Sequence, residues 1–287
     1  MNFPAVVNKS VLVTGCSSGI GRATAEVLRS KGWTVFPTAR KVADLDELKQ
    51  AGFEVIKLDV ASSESIATAA DFVLEKTGGT LGAVVNNAGF GMPGAIEDLT
   101  RDAMRYQFEV NLFGLQELTN RLIPVFRNQG YGRIVNVSSV VGRLSLPFMG
   151  IYSASKFALE AVSDALRVEL SQDRIGVSLV EPGPILTNFS TNCAGQGEEK
   201  LDAAGSRFGA AYKQYFEKRR NGGMGEDRFR LPPEAVANKI LHALESPRPK
   251  IRYRVTIPAY FGDWAARFVP AEWVDRLMIG HVKKRFG

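Results

Sequence analysis

The chain has 287 residues, of which 45% are hydrophobic, and a formal charge of +6. That length suits one large α/β domain or two small ones, with apolar content enough for a substantial core. Two cysteines exclude a disulfide framework and make a reducing cytoplasm the default. No run reaches the roughly 18 consecutive apolar residues of a membrane span, the first ten residues lack a long apolar run of signal-peptide type, and no Lys/Arg block or nucleic-acid motif accompanies the modest positive charge.

In chain order, Ser10–Val13 reads as a short apolar strand. A turn, Gly15-Cys16-Ser17-Ser18-Gly19-Ile20-Gly21, then opens a helix that Gly32 closes. Trp33–Phe36 predicts a second strand, Asp44–Gln50 a short helix, and Phe53–Leu58 a third strand ending at Asp59. Ser62-Ser63-Glu64-Ser65 caps a helix running to about Lys76. Leu81–Val85 is a fourth strand, followed by Asn86-Asn87-Ala88-Gly89, and one long helix is expected from about Arg101 to Phe126. Gly132–Val137 is a fifth strand, the run from Ile151 to Leu170 a helix, and Gly176–Val180 a sixth strand ending at Pro182-Gly183. Pro232-Pro233 opens a further helix through Ala243, and Ile251–Val255 is the last strand.

Short, near-continuous apolar strands alternating with helices predict an α/β fold. The expected architecture is a doubly wound parallel sheet of about seven strands, a Rossmann fold, buried on both faces. With no repeat and no flexible linker, the whole of 1–287 reads as one domain. Residues 188–231, rich in glycine and charge, are expected as a substrate lid and 257–287 as a C-terminal extension.

In such a sheet, ligands bind beyond the carboxyl ends of the strands. Gly15, Gly19 and Gly21 permit a tight turn and close backbone approach, and the helix N-terminus behind them offers free N–H groups to a pyrophosphate. The spacing is Gly-x-x-x-Gly-x-Gly rather than Gly-x-Gly-x-x-Gly. At the end of the second strand, where an NAD reader would carry an acid, the chain reads Thr38-Ala39-Arg40-Lys41. A planar guanidinium there suits a ribose 2′-phosphate, so NADP(H) is expected over NAD(H).

Tyr152 and Lys156 are four residues apart on a predicted helix, and so share one face. A phenol of pKa about 10 carries protons poorly at neutral pH. A cation beside it stabilises the phenolate, but a shift of roughly 3 units asks for a partly desolvated lysine and a second cation.

Together these residues resemble the short-chain dehydrogenase/reductase family, in its compact single-domain branch. The match rests on Thr14-Gly15-Cys16-Ser17-Ser18-Gly19-Ile20-Gly21, Asn86-Asn87-Ala88-Gly89, Asn111, Ser138-Ser139, Tyr152 with Lys156, and Pro182-Gly183, in family order over about residues 8–255. The lid and tail look like those of bacterial oxidoreductases related to hydroxysteroid and retinol dehydrogenases, a looser likeness. The resemblance implies that Tyr152 donates and accepts the proton, that Lys156 lowers its pKa and bonds the nicotinamide ribose, and that Ser139, rather than Ser138, holds the substrate oxygen. Asn111 would hold a water linking Lys156 to solvent, and nicotinamide would supply the second cation. The implied cofactor-binding set is Gly15, Ser17, Ser18, Gly19, Ile20, Gly21, Arg40, Asp59, Val60, Asn87, Ala88, Gly89, Tyr152, Lys156, Pro182, Gly183, Ile185 and Thr187, with no metal. Asp59 and Val60 are assigned to adenine, and Pro182 to Thr187 to the carboxamide end.

Val140, Val141, Leu144, Leu146, Phe148 and Met149 on one side, and Phe189, Phe208, Tyr212, Tyr215 and Phe216 on the other, argue for an apolar carbonyl or alcohol as substrate: a lipid aldehyde, retinoid, steroid or aryl ketone. The same aromatics could instead pack the lid onto the core. The extension carries Tyr260, Phe261, Trp264, Phe268, Trp273, Val274, Leu277, Met278 and Val282 before Lys283-Lys284-Arg285. Packing on the lid or on a subunit is favoured for it over peripheral contact with an anionic membrane. A non-catalytic NADP(H) sensor or scaffold on the same fold is the alternative from another class, and sugar-nucleotide epimerisation a third; the complete Asn111, Ser139, Tyr152, Lys156 set argues against a pure binder. A homo-oligomer through the helices at about 101–126 and 152–171 is implied by family habit.

Overall fold

In a computed structural model of the chain, residues 2–201, 203, 205–220 and 229–286 are described. The 221–228 part of the expected lid, and the side chains of Lys283, Lys284 and Arg285, lie outside the described residues. Strands β1 (Ser10–Val13), β2 (Thr34–Ala39), β3 (Ile56–Lys57), β4 (Ala83–Asn86), β5 (Gly132–Val137), β6 (Ile175–Glu181) and β7 (Arg252–Arg254) form one sheet in the order β3-β2-β1-β4-β5-β6-β7. Every pairing is parallel. Strands β1, β4, β5 and β6 are buried along their whole length, which is why they read as near-continuous apolar runs.

Helices cover both faces. On one side, α1 (Gly19–Ser30), α2 (Val42–Gln50) and α9 (Glu234–Glu245) pack Leu28, Leu45, Val236 and Ile240 against Val11, Val35 and Val135. On the other, α3 (Ser63–Lys76), α5 (Gly114–Gln129) and α6 (Gly150–Glu169) pack Ile66, Leu118 and Leu166 against Leu12, Val84 and Ile134. Strand order reverses between β2-β1 and β4-β5, so the carboxyl ends of β1 and β4 part there and leave the crevice that doubly wound sheets use for ligands.

Three expected elements come out differently. The third strand is two residues long, because Phe53 turns into the α1–α2 core with the Arg29 guanidinium 3.9 Å above its ring, and only Ile56 and Lys57 reach β2. The single helix expected over 101–126 is α4 (Arg101–Phe108), a π-helical turn (Glu109–Phe113) and then α5. A side chain on Gly114 would collide with the Val60 carbonyl, and Asn111 is tied to the Phe90 backbone, so the chain widens there. The glycine-rich lid holds two helices, α7 (Phe189–Lys200) and α8 (Gly209–Arg220), and the extension two more, α10 (Ile257–Phe268) and α11 (Ala271–Phe286). Gly195 and Gly197 obscure the helical pattern of α7, although Gly197 is required by close contact with Pro93.

Candidate active site

The turn after β1 is built by residues that tolerate only glycine. Gly15 and Gly19 hold φ of +72° and +57°, and a side chain on Gly21 would meet the Gly15 carbonyl and lie 2.6 Å from Asn87 Nδ2. Ser18 caps α1 without any side-chain bond, which leaves the first-turn N–H groups open to a ligand. Thr14 braces the turn from below: its hydroxyl accepts from the N–H groups of Asn87 (3.0 Å) and Ala88 (2.9 Å). The Asn87 amide donates to the carbonyls of Thr14 (2.9 Å) and Gly15 (3.0 Å). Asn87, expected among the cofactor contacts, here ties β1 to β4 through its amide. From above, Thr187 closes on the turn, and its methyl lies 2.9 Å from where a Gly19 Cβ would sit. Pro182 accepts from Val140 N–H, Gly183 is held against Thr256, and Ile185 bridges to Leu231, so the segment after β6 is anchored over the crevice.

Farther out, Arg40 emerges exposed from the end of β2, and its guanidinium donates to the Tyr106 hydroxyl at 3.1 Å. Asp59 sits at the end of the neighbouring β3, where its carboxylate accepts from Ala61 N–H at 3.0 Å and its own N–H donates to Ser65. Ser17 is exposed, while Ser18, Ile20 and Ala88 are half-buried on the same rim and Gly89 lies exposed at its inner end.

At the inner end, Tyr152 and Lys156 lie on α6, 7% and 4% exposed. Ser139, just past β5, hydrogen-bonds the Tyr152 hydroxyl and opposes the rise in its pKa. Burial nonetheless pushes that phenol well above its ordinary range. The Lys156 ammonium is not aimed at the phenol oxygen. It donates to the Val137 carbonyl at 2.8 Å and lies 6.0 Å from the Tyr152 ring centre. Burial lowers its own pKa to about 8, with Glu160 opposing. In the protein alone, burial is the largest influence on the Tyr152 phenol and the Ser139 hydrogen bond opposes it.

Asn111, fully buried on the π turn, donates to Phe90 O (2.9 Å) and Ser155 Oγ (3.0 Å) and accepts from Phe90 N–H (3.1 Å). Its amide is therefore occupied in holding the loop after β4 to α6. A side chain on Gly89 would touch both Asn111 Oδ1 (3.1 Å) and Lys156 Nζ (3.8 Å), so Asn111, Lys156 and the Gly89 backbone converge at one point. Ser138 faces away: its hydroxyl is buried near Gly142 and Glu160. Sequence reasoning missed Gln107, whose buried amide grips both sides of the same loop through Met92 N–H (2.7 Å) and Phe90 O (2.8 Å). A buried glutamine within an amphipathic helix was the available signal.

An apolar cavity of about 220 Å³ opens on the far side of Phe189 from Tyr152, which does not itself line it. Of the expected residues, Leu146, Phe148, Met149, Phe189, Tyr212 and Tyr215 line it, joined by Cys193, Met278 and Val282, and Val140, Val141 and Leu144 do not. Phe189 packs 5.6 Å from the Tyr152 ring. Phe216 packs into the lid core, and Phe208 meets Phe148 edge-on at 5.0 Å, so part of the aromatic stripe does hold the lid down. Phe148 adopts φ of +62°, a strained conformation for a bulky residue, at the cavity wall. Among the described residues there is no cluster of three metal-ligating side chains and no helix long and apolar enough to cross a membrane.

A glycine cradle at the switch point of a parallel sheet, with a buried tyrosine and lysine near an apolar cavity, defines a nucleotide-dependent oxidoreductase fold. The chain belongs to the short-chain dehydrogenase family, whose profile matches residues 9–196. It is 42% identical over 275 residues to the oxidoreductase YbbO of Escherichia coli K12, covering 96% of each chain. It is 35% identical to human 17-beta-hydroxysteroid dehydrogenase type 1, over 86% of this chain and 77% of that one. A short chain dehydrogenase/reductase from Burkholderia phymatum, solved in complex with NAD, superposes with a TM-score of 0.77 at 26% identity over 96% of both chains.

Proposed function

We propose that this chain transfers hydride between NADP(H) and an apolar aldehyde, ketone or the corresponding alcohol, in cells chiefly as a carbonyl reductase. The observation that carries the substrate class is the apolar cavity walled by Phe148, Met149, Phe189 and Tyr215, which Phe189 joins to Tyr152. A steroid dehydrogenase among the relatives agrees with it. The preference for a 2′-phosphate rests on Arg40, which stands exposed at the end of β2 where an acid would mark NAD.

The residues fit a dinucleotide: Gly15, Gly19 and Gly21 let the turn close tightly against Ala88, Thr187 and Asn87, where any side chain would collide, and the N–H groups at the start of α1 are left open to a pyrophosphate. Thr14, Asn87 and Thr187 hold that cradle, and Arg40 and Asp59 flank its outer end. The bound nicotinamide supplies and accepts the hydride. Ser139 orients the substrate oxygen toward the Tyr152 hydroxyl, which gives it a proton in reduction and takes one in oxidation. Because Tyr152 is raised by burial, it stays protonated at neutral pH and serves first as an acid. Lys156, with its pKa near 8, swings its charge toward the reacting oxygen only if it leaves the Val137 carbonyl. Asn111 and Gln107 fix the loop that backs this centre.

Following NADPH absorbance over a panel of medium- and long-chain aldehydes, aryl ketones, retinoids and steroids tests the reading. Tyr152→Phe should lose at least a thousandfold in kcat while binding NADPH with an unchanged Kd; retained turnover would sink the assignment.

A further inference from the structure

Outside the family profile at 9–196, α10 and α11 turn a large aromatic face to solvent. Tyr260, Phe261, Trp264, Phe268, Trp273 and Leu277 are each 51–70% exposed. On α10 they recur at helical spacing, with the rings of Phe261, Trp264 and Phe268 in tilted contact in sequence at 5.8 and 6.3 Å between centres. The opposite side of α10 buries Ala259, Gly262, Asp263 and Ala265. Soluble monomers rarely present so large a contiguous apolar patch without a partner.

We infer that this face docks on an anionic lipid surface and that the active-site cavity opens beside it. Three observations choose lipid over other occupants. First, the face cannot fold back on its own chain. Asp263 is clamped by Arg143 (2.9 Å), Arg254 (2.7 Å) and Arg267 (3.3 Å), which fixes α10 with its aromatics outward. Second, charge discriminates between a second copy and a lipid. The chain carries +6, and α11 with its flanking end holds Arg276, Lys283, Lys284 and Arg285 against the two acids Glu272 and Asp275, a net positive balance. Another copy is repelled by that charge and anionic headgroups are attracted by it. Tryptophan and tyrosine, apolar rings with one polar group, are the residues that favour the headgroup boundary. Third, the face is continuous with the cavity: on α11, Met278 and Val282 line it, directly beside exposed Leu277. An apolar carbonyl dissolved in the lipid would enter there without crossing water. This last step rests on the proposed substrate class; the docking itself does not.

The test uses the full chain with vesicles of phosphatidylcholine, with and without phosphatidylglycerol. Co-sedimentation should rise at least tenfold with phosphatidylglycerol, and Phe261→Ser/Trp264→Ser/Phe268→Ser should lose at least tenfold of it while still reducing a short water-soluble aldehyde. Wild-type fluorescence gives an answer independent of how that variant folds. Trp33 is buried, so quenching by brominated phosphatidylcholine reports on Trp264 and Trp273. Absence of quenching, or sedimentation equal with and without the anionic lipid, overturns the inference. A concentration-dependent dimer that the triple variant makes monomeric overturns it too, by giving the face to a second copy. If vesicles bind but no carbonyl is reduced, the docking stands and the substrate reading falls.

Discussion

Replacing Glu181 by glutamine should change how stability depends on pH. Glu181 ends β6 with its carboxyl 1% exposed, facing Arg252 at 3.2 Å and Arg254 at 3.4 Å. Burial and the neighbouring Glu160 carboxylate push its pKa up from 4.5 to about 7, against the pull of Arg254, Arg252 and Arg143. The unfolded chain releases this proton near 4.5 and the folded chain near 7, so between those values the folded state binds more protons and stability falls as pH rises. At 1.36 kcal/mol per unit, the loss reaches about 3 kcal/mol by pH 7 and is constant above it. Glutamine resembles the protonated acid and does not titrate. Its introduction strands neither arginine, since Arg252 keeps Glu160 (2.9 Å) and Asp164 (2.6 Å) and Arg254 keeps Asp263 (2.7 Å). Thermal melts of wild type and Glu181→Gln should therefore nearly coincide at pH 4.5. They should separate by pH 7.5 with the variant higher by about 6 °C, taking roughly 2 °C per kcal/mol for a chain of this size. A gap that does not change with pH, or a wild type that gains on the variant as pH rises, would refute the reasoning.

Arg40→Asp should weaken NADPH binding at least tenfold more than NADH binding, since a charged hydrogen bond contributes about 1.5–3 kcal/mol and the new carboxylate repels phosphate; equal losses in calorimetric titrations would mean that Arg40 does not read the 2′-position. Asn111→Ala removes three buried hydrogen bonds to Phe90 and Ser155. At about 1 kcal/mol each this should cost about 2–3 kcal/mol in urea unfolding together with most of the turnover, and an unchanged midpoint would count against the bonds.

The candidate centre could be read from spacing because its signals are local. A glycine turn lies within seven residues, Tyr152 and Lys156 within one helical turn, and Arg40 at the end of one strand. Alternating apolar strands and helices announced the parallel sheet for the same reason: burial on both faces writes itself into each strand separately. The boundaries slipped where distant residues decide. β3 shortens because Phe53 is drawn to Arg29, and the expected long helix opens at Asn111 because the Phe90 loop and the Val60 carbonyl press on it.

Sequence alone determined the sheet, the crevice at its switch point and the choice of Tyr152, Lys156, Ser139 and Asn111 as candidates. Only the tertiary structure decided their electrostatics and surroundings. Burial raises Tyr152 instead of lowering it, Val137 holds the Lys156 ammonium, and the cavity draws its walls from 93–94, 146–149, 189–193, 212–215 and 278–282. It also turned the aromatics of α10 outward while setting Met278 and Val282 of α11 against the 189–215 segment at the cavity. The physical reason is that desolvation and charge depend on which groups meet in space, and those groups lie tens to hundreds of residues apart along the chain.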